Sequence, residues 1–321
     1  MAAAETIVPP GSLVLITGVN GFIALHISNL LLKQGYAVHC SVRSLERSAW
    51  VQEAFVERHP SGTFSIIQVA DGNSEGAWEK AIAGVDGIVH VAGDVSFGAD
   101  PNQIIKPMVK GHFIFTSSDR AALNPIPGKE FIIDPNLWND PAIHAAWRPP
   151  PYKAYRGCDV YAALKAQFEQ EVWRFSKEES PQFVVNTIFP DFTVGPIFHP
   201  KQTGSTGKLV MDFWRDLSHY ELFRKFIPQR FVDVGDTTLL HVAALTQEDF
   251  NGERLWGFAA MINFNSWVGW PEDDSDQGYD LSKIDTSRGE ELLKRFGQDE
   301  WTSFFPSAKR NVLDTLAAWP S

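Results

Sequence analysis

The amino-acid sequence predicts an α/β fold in which helices cover both faces of a parallel, doubly wound sheet. Residues 12–17 (SLVLIT) form a nearly continuous apolar run, as expected of a strand that is buried on both faces. Glycines at positions 18 and 21 interrupt this run, and residues 22–33 then carry apolar side chains at helical spacing. Strands and helices continue to alternate beyond them, a pattern typical of parallel sheets with right-handed crossovers.

Particular residues mark where the later helices, strands and loops begin or end. Gly35 ends the first helix, and a Pro and a Gly follow the second. The stretch 124–151 is rich in Pro, Asn and Asp and predicts a long loop, and Asp236 is the predicted N-cap of the last helix. After Pro190 the pattern loosens into an irregular apolar lobe. The predicted strands cover 12–17, 36–42, 63–69, 87–91, 113–116 and 183–189, and the predicted helices cover 22–33, 45–58, 74–83, 159–176 and 236–246.

Composition and charge narrow the class of protein. The chain has 321 residues, of which 44% are hydrophobic and 21% charged, enough for one large α/β unit with an attached lobe or for two modest domains. A net charge of -11 without a long basic run argues against nucleic-acid binding, because phosphates require a positive face. We expect neither a secretory signal nor a membrane span. Two cysteines, Cys40 and Cys158, suit a reducing compartment, so the expected location is cytoplasmic.

The glycine-rich turn between the first strand and the first helix is a candidate dinucleotide site. Gly18 lets the chain turn sharply, Gly21 leaves room for a pyrophosphate, and Ala24 allows the helix to pack closely on the strand. The alternative is an ordinary turn that happens to hold two glycines. The predicted cofactor contacts in this turn are Thr17, Gly18, Asn20, Gly21, Phe22 and Ile23.

The ends of the following strands indicate which cofactor binds. An acidic residue after the second strand would bond the ribose hydroxyls of NAD, but Arg43 lies there and suits the adenosine phosphate of NADPH. A solvated arginine is the alternative. Asp71 either accepts a hydrogen bond from the adenine amino group or caps the next turn. Ala92 and Gly93 are predicted to line the cofactor crevice, whereas His90 is predicted to be a core histidine.

Tyr161 and Lys165 carry the predicted proton chemistry. They are four residues apart and therefore share one face of the predicted helix. A neighbouring ammonium and an oxidised nicotinamide both favour phenolate, so we expect a lowered pKa for Tyr161. A hydroxyl that orients a carbonyl oxygen is expected from Thr116-Ser117-Ser118, at the carboxyl end of the fifth strand. The alternative is a plain surface pair on a helix.

Together these residues resemble the extended short-chain dehydrogenase/reductase family, in particular its dihydroflavonol-reductase-like branch, which includes fungal NADPH-dependent aldehyde and ketone reductases. The resemblance implies a Rossmann-type fold and a catalytic set of Ser118, Tyr161 and Lys165, with Ser117 in reserve. It also implies that Pro190 flanks the nicotinamide. No metal site is predicted. The matching stretches are LVLITGVNGFIALHI, VDGIVHVAGDVSF, FIFTSSDRAA, DVYAALKAQFEQEVW, VVNTIFPDFTVGP and FVDVGDTTLLHVAAL, together with the strand end that carries Arg43.

By this resemblance the chain divides into two parts. Residues 1–190 and 232–255 are expected to form the NADP-binding Rossmann domain, and residues 191–231 and 256–321 a smaller substrate-binding lobe. Bulky side chains are expected either to line the substrate site or to form the lobe's own core. These residues are Phe97, Phe192, Phe198, Met211 and Trp214.

The chain departs from the family pattern between the fourth and fifth strands. A full helix usually lies there, but residues 98–113 are few and include Pro107, so the helix is predicted to be shortened. The segment is either a genuine short crossover or the product of a misassigned exon boundary. Because this helix helps to form the dimer in relatives, we expect a monomer or a weak homodimer.

The leading functional hypothesis is an NADPH-dependent carbonyl reductase. Its expected substrate is a bulky apolar or aromatic ketone or aldehyde, such as a polyketide intermediate of secondary metabolism. One alternative is an NAD-dependent sugar-nucleotide epimerase or dehydratase, which shares the fold and the Tyr/Lys pair. Another is a dinucleotide-binding protein whose catalysis is impaired by the shortened segment. The expected partner is a small carbonyl substrate, with neither nucleic acid nor membrane.

Overall fold

A central sheet of seven parallel strands organises the protein. The computed structural model describes residues 6–72, 74, 76–93, 113–126, 128–179, 183–202, 205–216, 230–261 and 280–318. The strands of this sheet are β1 (Leu13–Thr17), β2 (Ala37–Val42), β3 (Phe64–Gln68), β4 (Gly87–His90), β5 (Phe113–Thr116), β6 (Val185–Pro190) and β9 (Arg254–Gly257). Their order is β3-β2-β1-β4-β5-β6-β9, and it reverses direction between β1 and β4. Such a reversal opens a crevice at the carboxyl ends of the strands.

A second sheet of three short strands forms part of the lobe after Pro190. It contains β7 (Phe192–Val194), β8 (Arg230–Asp233) and β10 (Ala260–Met261), in the order β10-β8-β7. The predicted Rossmann-type, doubly wound fold with a smaller lobe is confirmed. In the part of the chain described, no helix has the length and apolar character that crossing a membrane requires. The helices are α1 (Phe22–Lys33), α2 (Leu45–Arg58), α3 (Asp140–Ala146), α4 (Gly157–Glu179), α5 (Ser205–Arg215), α6 (Val234–Thr246), α7 (Ser287–Arg295) and α8 (Phe304–Ala318).

Two predicted segments of the Rossmann part are wrong. The described residues of 74–83 form successive turns rather than a helix. Gly76 lies there with φ +73°, a left-handed conformation that a right-handed helix cannot contain. The predicted loop over 124–151 contains helix α3, whose N-cap Asn139 accepts a hydrogen bond from the Ala142 amide at 3.2 Å.

Two further expectations after β6 are also wrong. The lobe is not irregular, since it carries the second sheet and α5. The N-cap of α6 is Asp233 rather than Asp236, because Asp233 Oδ1 accepts from the Gly235 amide at 2.6 Å. Asp236 instead accepts from the Thr302 amide at 2.7 Å and so attaches α6 to the segment before α8.

The fifth strand docks in register despite the short connection that precedes it. Ile88 of β4 pairs with Phe113 of β5, and Phe113 pairs on its other side with Val185 of β6. The carboxyl end of β5 therefore lies at the same sheet edge as those of its neighbours. Residues 94–112, which include most of the shortened segment and Phe97, lie outside the described residues.

The core has a large part on the main sheet and a smaller part in the lobe. Leu292 of α7 packs into the large part, with α1 and α6. Val312 of α8 packs in the lobe against Phe213 and Phe231. The predicted division of the chain near residue 255 stays a prediction.

A fully buried carboxylate attaches α4 to the main sheet. Glu169 is 0% exposed and accepts hydrogen bonds from the hydroxyls of Ser117 at 2.6 Å and Thr187 at 3.1 Å. Arg254 Nε lies 2.9 Å from the same carboxylate. Ser117 directly follows β5, Thr187 lies in β6 and Arg254 begins β9. The Glu169 side chain therefore joins the helix to three strands.

Glu169→Ala tests the importance of this contact for stability. It leaves the Arg254 guanidinium buried without its anion, so we expect the free energy of unfolding to fall by about 3–5 kcal/mol. Urea unfolding followed by circular dichroism measures it. Glu171→Ala is the matched control, because Glu171 pairs with Arg174 on the exposed face of the same helix. Its unfolding free energy should hardly change, and equal losses in the two variants would contradict the assignment.

Candidate active site

The predicted site residues gather at one edge of the main sheet, where the parallel strands end. The glycine turn follows β1, and Ala92 and Gly93 lie just beyond β4. Ser118 follows β5, and Pro190 is the last residue of β6. Residues that are far apart in sequence are thus brought to a single crevice.

The turn after β1 requires glycine at its first position. Gly18 has φ +68°, and a Cβ added there would lie 3.1 Å from the Cα of Ala92. Gly21 is the extended N-cap of α1 and makes no side-chain capping bond. The turn therefore presents bare backbone next to a helix N-terminus, an arrangement that suits a phosphate group. Asn20 within it is exposed, Phe22 is buried and Ile23 is half-buried.

Thr17 joins the glycine turn to the end of β4. Its hydroxyl oxygen accepts hydrogen bonds from the amides of Val91 and Ala92, at 3.1 and 3.0 Å. The single hydroxyl proton is therefore donated to Nδ1 of His90, at 2.9 Å. Burial lowers the pKa of His90 to about 3, so the ring is neutral. The prediction of a core histidine is confirmed, and any cofactor contact of Thr17 falls to its backbone.

Ser118 and Tyr161 form the reactive pair. The Ser118 side chain is hydrogen-bonded to the Tyr161 hydroxyl, which brings the end of β5 to the first turns of α4. Ser117 is used differently, since it donates its hydroxyl to Glu169 at 2.6 Å. Of the two candidate serines, the structure therefore brings Ser118 to the tyrosine and gives Ser117 a role in packing.

The lowered pKa expected for Tyr161 is wrong as far as the effect of the chain's own residues is concerned. Burial raises the pKa of Tyr161 to about 12, against the opposing effect of the Ser118 hydrogen bond. Asp119 raises this pKa further, and the guanidinium of Arg120 lowers it. Arg120, which was not expected from the sequence, is therefore a cation that favours the phenolate. A phenol in this environment keeps its proton at neutral pH, as a proton donor must.

Lys165 lies between the ends of β4 and β5. Its Nζ donates to the carbonyl oxygen of Thr116 at 2.8 Å, and a Cβ added to Gly93 would lie 3.4 Å from it. Burial lowers the pKa of Lys165 to about 8, while the charge of Glu169 raises it. The ammonium is thus one helical turn beyond Tyr161 and at the same sheet edge as the glycine turn.

Arg43 and Asp71 follow β2 and β3. Arg43 is exposed, and we find no hydrogen bond or ion pair between it and any residue that the structure describes. Asp71 accepts a hydrogen bond from the Ser74 hydroxyl at 3.0 Å, as the turn-capping alternative requires. Contacts of either side chain with a cofactor stay predictions.

A group of charged side chains beside Ser118 was not expected from the sequence. Buried Asp119 lies 2.9 Å from Ser118 Oγ and 3.6 Å from Arg120 Nε. Asp191 directly follows Pro190 at the end of β6. Burial raises the pKa of Asp119 and of Asp191. Both aspartates adjoin residues of the predicted site, which is the signal that could have found them.

Arg230 and Asp280 complete this charged group. Arg230 Nε lies 3.5 Å from Asp280 Oδ2, and Asp280 is buried. The charge of Asp280 raises the pKa of Asp119, and the charge of Arg230 lowers that of Asp191. No motif marks either residue, and they lie about 40 and about 90 residues beyond Pro190 in sequence, so only the fold reveals them.

The expected substrate-lining residues have different environments. Phe192 belongs to the core of the lobe and Phe198 to the core of the main sheet, as the alternative for these aromatic residues predicts. Met211 is buried, whereas Trp214 on the same helix is 48% exposed. Of the described residues in this set, Trp214 is therefore the most accessible to a ligand.

The fold and this arrangement of serine, tyrosine and lysine define a dehydrogenase/reductase of the short-chain type. Residues 14–117 match the model of the NAD dependent epimerase/dehydratase family. The NAD-dependent epimerase/dehydratase terH of Aspergillus terreus is 47% identical, over 96% of this chain and 98% of the relative. Aldehyde reductase 2 of Sporidiobolus salmonicolor is 33% identical, over 95% of this chain and 96% of the relative. The chain belongs to the extended short-chain dehydrogenase/reductase family.

A solved reductase structure shares this fold, and the alignment with the Aspergillus terreus relative contains gaps in this chain. Yeast methylglyoxal/isovaleraldehyde reductase Gre2, solved as a complex with NADPH, superposes with a TM-score of 0.74 at 20% identity, over 95% of this chain and 98% of that chain. The alignment with the Aspergillus terreus relative runs over 333 positions, more than the 321 residues here. That relative therefore has residues without a counterpart in this chain.

Proposed function

We propose that the protein is an NADPH-dependent carbonyl reductase. The observation that carries the proposal is the Ser118–Tyr161 hydrogen bond, at the sheet edge that also holds Lys165 and the glycine turn. A hydroxyl pair of this kind can hold one carbonyl oxygen and give it a proton. The aldehyde reductase among the relatives, and the reductase that superposes with NADPH bound, support this choice.

The residues present fit a dinucleotide. Gly18 and Gly21 leave bare backbone where a pyrophosphate would bind, and a Cβ at Gly18 would close this space against Ala92. Arg43 is exposed at the end of β2 and would hold the adenosine phosphate of NADPH. Lys165 would hold the nicotinamide ribose. When bound, the nicotinamide supplies the hydride.

The chain's own residues would supply the proton and hold the oxygen. Ser118 and Tyr161 would both donate hydrogen bonds to the substrate carbonyl oxygen, which polarises its carbonyl group. As negative charge develops on that oxygen, Tyr161 Oη gives up its proton to it. The ammonium of Lys165 and the guanidinium of Arg120 would both stabilise the phenolate that remains.

The finer proposal concerns the substrate and its setting. We infer a bulky apolar or aromatic ketone or aldehyde, such as a polyketide intermediate of secondary metabolism. The aromatic composition of the lobe and the exposed indole of Trp214 support an apolar substrate. A cytoplasmic location and a monomeric or weakly dimeric state belong to the same proposal.

A second candidate function is an NAD-dependent sugar-nucleotide epimerase or dehydratase. The name of the family model and that of the relative from Aspergillus terreus favour it. Such an enzyme keeps its oxidised cofactor bound, so absorbance and mass spectrometry of the purified protein distinguish the two. NADPH binding without turnover of any carbonyl would instead indicate a dinucleotide-binding protein with impaired catalysis.

Tyr161→Phe tests the proposed proton donor. Without the phenolic proton, kcat for carbonyl reduction should fall by about 10²- to 10⁴-fold, while NADPH binding stays unchanged. Turnover is measured with a panel of aldehydes and ketones, and binding by NADPH fluorescence. Tyr155→Phe removes the same atom from an exposed tyrosine and is the control. Full activity in the Tyr161 variant would rule the mechanism out.

Arg43→Ala tests the cofactor preference. Loss of charge-assisted hydrogen bonds to the adenosine phosphate should raise the KM for NADPH by about 10- to 100-fold. The KM for NADH should change little, because NADH lacks that phosphate. Arg174→Ala removes the same charge far along α4 and should leave both values unaltered. Equal effects of Arg43→Ala on the two cofactors would contradict the assignment.

A further inference from the structure

Three consecutive hydroxyl side chains lie at the end of the fifth strand, and the first of them has no part in the mechanism above. Ser118 is bonded to the reactive tyrosine, and Ser117 donates to Glu169 of α4. Thr116, the last residue of β5, directs its hydroxyl to the other face of the sheet, where Oγ1 lies 2.8 Å from Nε2 of His241 on α6. The end of β5 is therefore held from both faces of the sheet.

The direction of each hydrogen bond at His241 follows from its partners. His241 Nδ1 lies 2.7 Å from the carbonyl oxygen of Thr237, which can only accept, so Nδ1 carries the ring proton. Burial lowers the pKa of His241 to about 4, so the ring is neutral and Nε2 is an acceptor. The Thr116 hydroxyl therefore donates to Nε2. Both side chains are buried, which shields this hydrogen bond from water.

The backbone carbonyl of Thr116 accepts from the ammonium of Lys165. The pairing of β5 with β4 ends at Phe115 and His90, so Thr116 is the first residue of β5 beyond that ladder. The amides that directly follow β4 donate to the Thr17 hydroxyl instead. Lys165 Nζ lies 2.8 Å from the Thr116 carbonyl oxygen. The lysine thus supplies a donor to β5 at the point where its pairing with β4 has ended.

We propose that His241 and Thr116 are positioning residues for Lys165. By holding the Thr116 hydroxyl, His241 keeps the end of β5 in the orientation in which the Thr116 carbonyl oxygen accepts one of the three ammonium protons. The other two protons are thereby directed to the hydroxyls of the nicotinamide ribose. Both residues act through Lys165, and no covalent bond changes. The inference rests on the role proposed above for Lys165 in holding the ribose.

Titratable groups face Lys165 from α4, β4 and α6. Burial lowers the pKa of Lys165 to about 8, and the charge of Glu169 on α4 raises it. Tyr161, also on α4, keeps its proton to a pKa of about 12. The ammonium lowers the pKa of His90 on β4 and of His241 on α6, which both stay neutral. A carbonyl oxygen that accepts from the ammonium favours the charged form, so loss of this acceptor should lower the pKa of Lys165 further.

Thr116→Val tests the inference through NADPH binding, measured by fluorescence from neutral to alkaline pH. It removes the hydroxyl and keeps the volume, so the Kd for NADPH at neutral pH should rise by about 3- to 10-fold. The pH at which affinity falls should also move lower, because Lys165 loses its charge at lower pH. Thr116→Ser keeps the donor and should stay within about twofold of the wild type.

Thr246→Val is the matched control, because Thr246 is buried on α6 but donates to the carbonyl oxygen of Val242 in the same helix. Its affinity for NADPH and the pH dependence of that affinity should follow those of the wild type. Lys165→Met should lack the alkaline fall, which assigns the fall to Lys165. An alkaline fall that persists in the folded Lys165 variant would overturn the inference.

A double-mutant cycle tests whether Thr116 and His241 act through one bond. His241→Leu should weaken NADPH binding as Thr116→Val does, and the double variant should bind no more weakly than either single variant. Melting temperatures establish that each variant is folded. The inference is overturned if folded Thr116→Val binds NADPH as the wild type does at every pH, if Thr116→Ser is equally impaired, or if the two losses multiply.

NMR of the wild-type protein labelled with ¹⁵N-histidine tests the arrangement without cofactor or turnover. His241, assigned by its Overhauser contacts with Thr116 and Thr237, should have a neutral ring with its proton on Nδ1 throughout the pH range of the binding experiment. A proton on Nε2 would overturn the inference even in an active reductase. The expected tautomer and binding shifts in a protein that reduces no carbonyl would support the inference and leave only the proposed reaction in error.

Discussion

Burial of the Glu169 carboxylate constrains the helix that carries the reactive tyrosine. Glu169 lies one helical turn beyond Lys165 and two beyond Tyr161, so its hydrogen bonds set the rotation of α4 as well as its distance from the sheet. Ser117 donates one of those bonds. The next residue, Ser118, is consequently presented to the tyrosine by the same contact. A single buried acceptor therefore positions all three members of the proposed catalytic set.

The buried ion pair of Glu169 and Arg254 positions the helix and Ser117 more than it stabilises the protein. Arg254 and Glu169 lose their hydration when they are buried, and their attraction roughly offsets that cost. The arginine is accommodated because its guanidinium lies 4.2 Å from the ring of Trp138 and 4.5 Å from that of Phe189, and because it donates to the Leu137 carbonyl at 3.2 Å. If well-packed apolar side chains replaced Glu169 and Arg254, the protein could keep the same free energy of unfolding. Such side chains could not direct Ser117 and the helix into one geometry.

The sequence predicts the Rossmann part well because its strands and helices are long enough to show a period. The strands of the lobe are only two to four residues long, too short for any alternation to appear, and the helix predicted over 74–83 fails at the left-handed Gly76. The choice between Ser117 and Ser118 depends on Glu169, which is remote in sequence. For the same reason no local pattern reveals that the charge of Asp119 acts on Asp191, although each aspartate adjoins a predicted residue.

Contacts between neighbouring strands allow the site to tolerate a short connection before β5. His90 at the end of β4 stacks on Phe113 and Phe115 of β5, with ring centroids 5.5 and 5.9 Å apart, and its Nδ1 accepts the Thr17 hydroxyl proton. The register of β5 is thus maintained by contacts between strands, at the edge where Ser118 emerges. A crossover helix covers the face of a sheet but does not make those contacts. Shortening it can therefore expose apolar surface without displacing Ser118 from the tyrosine.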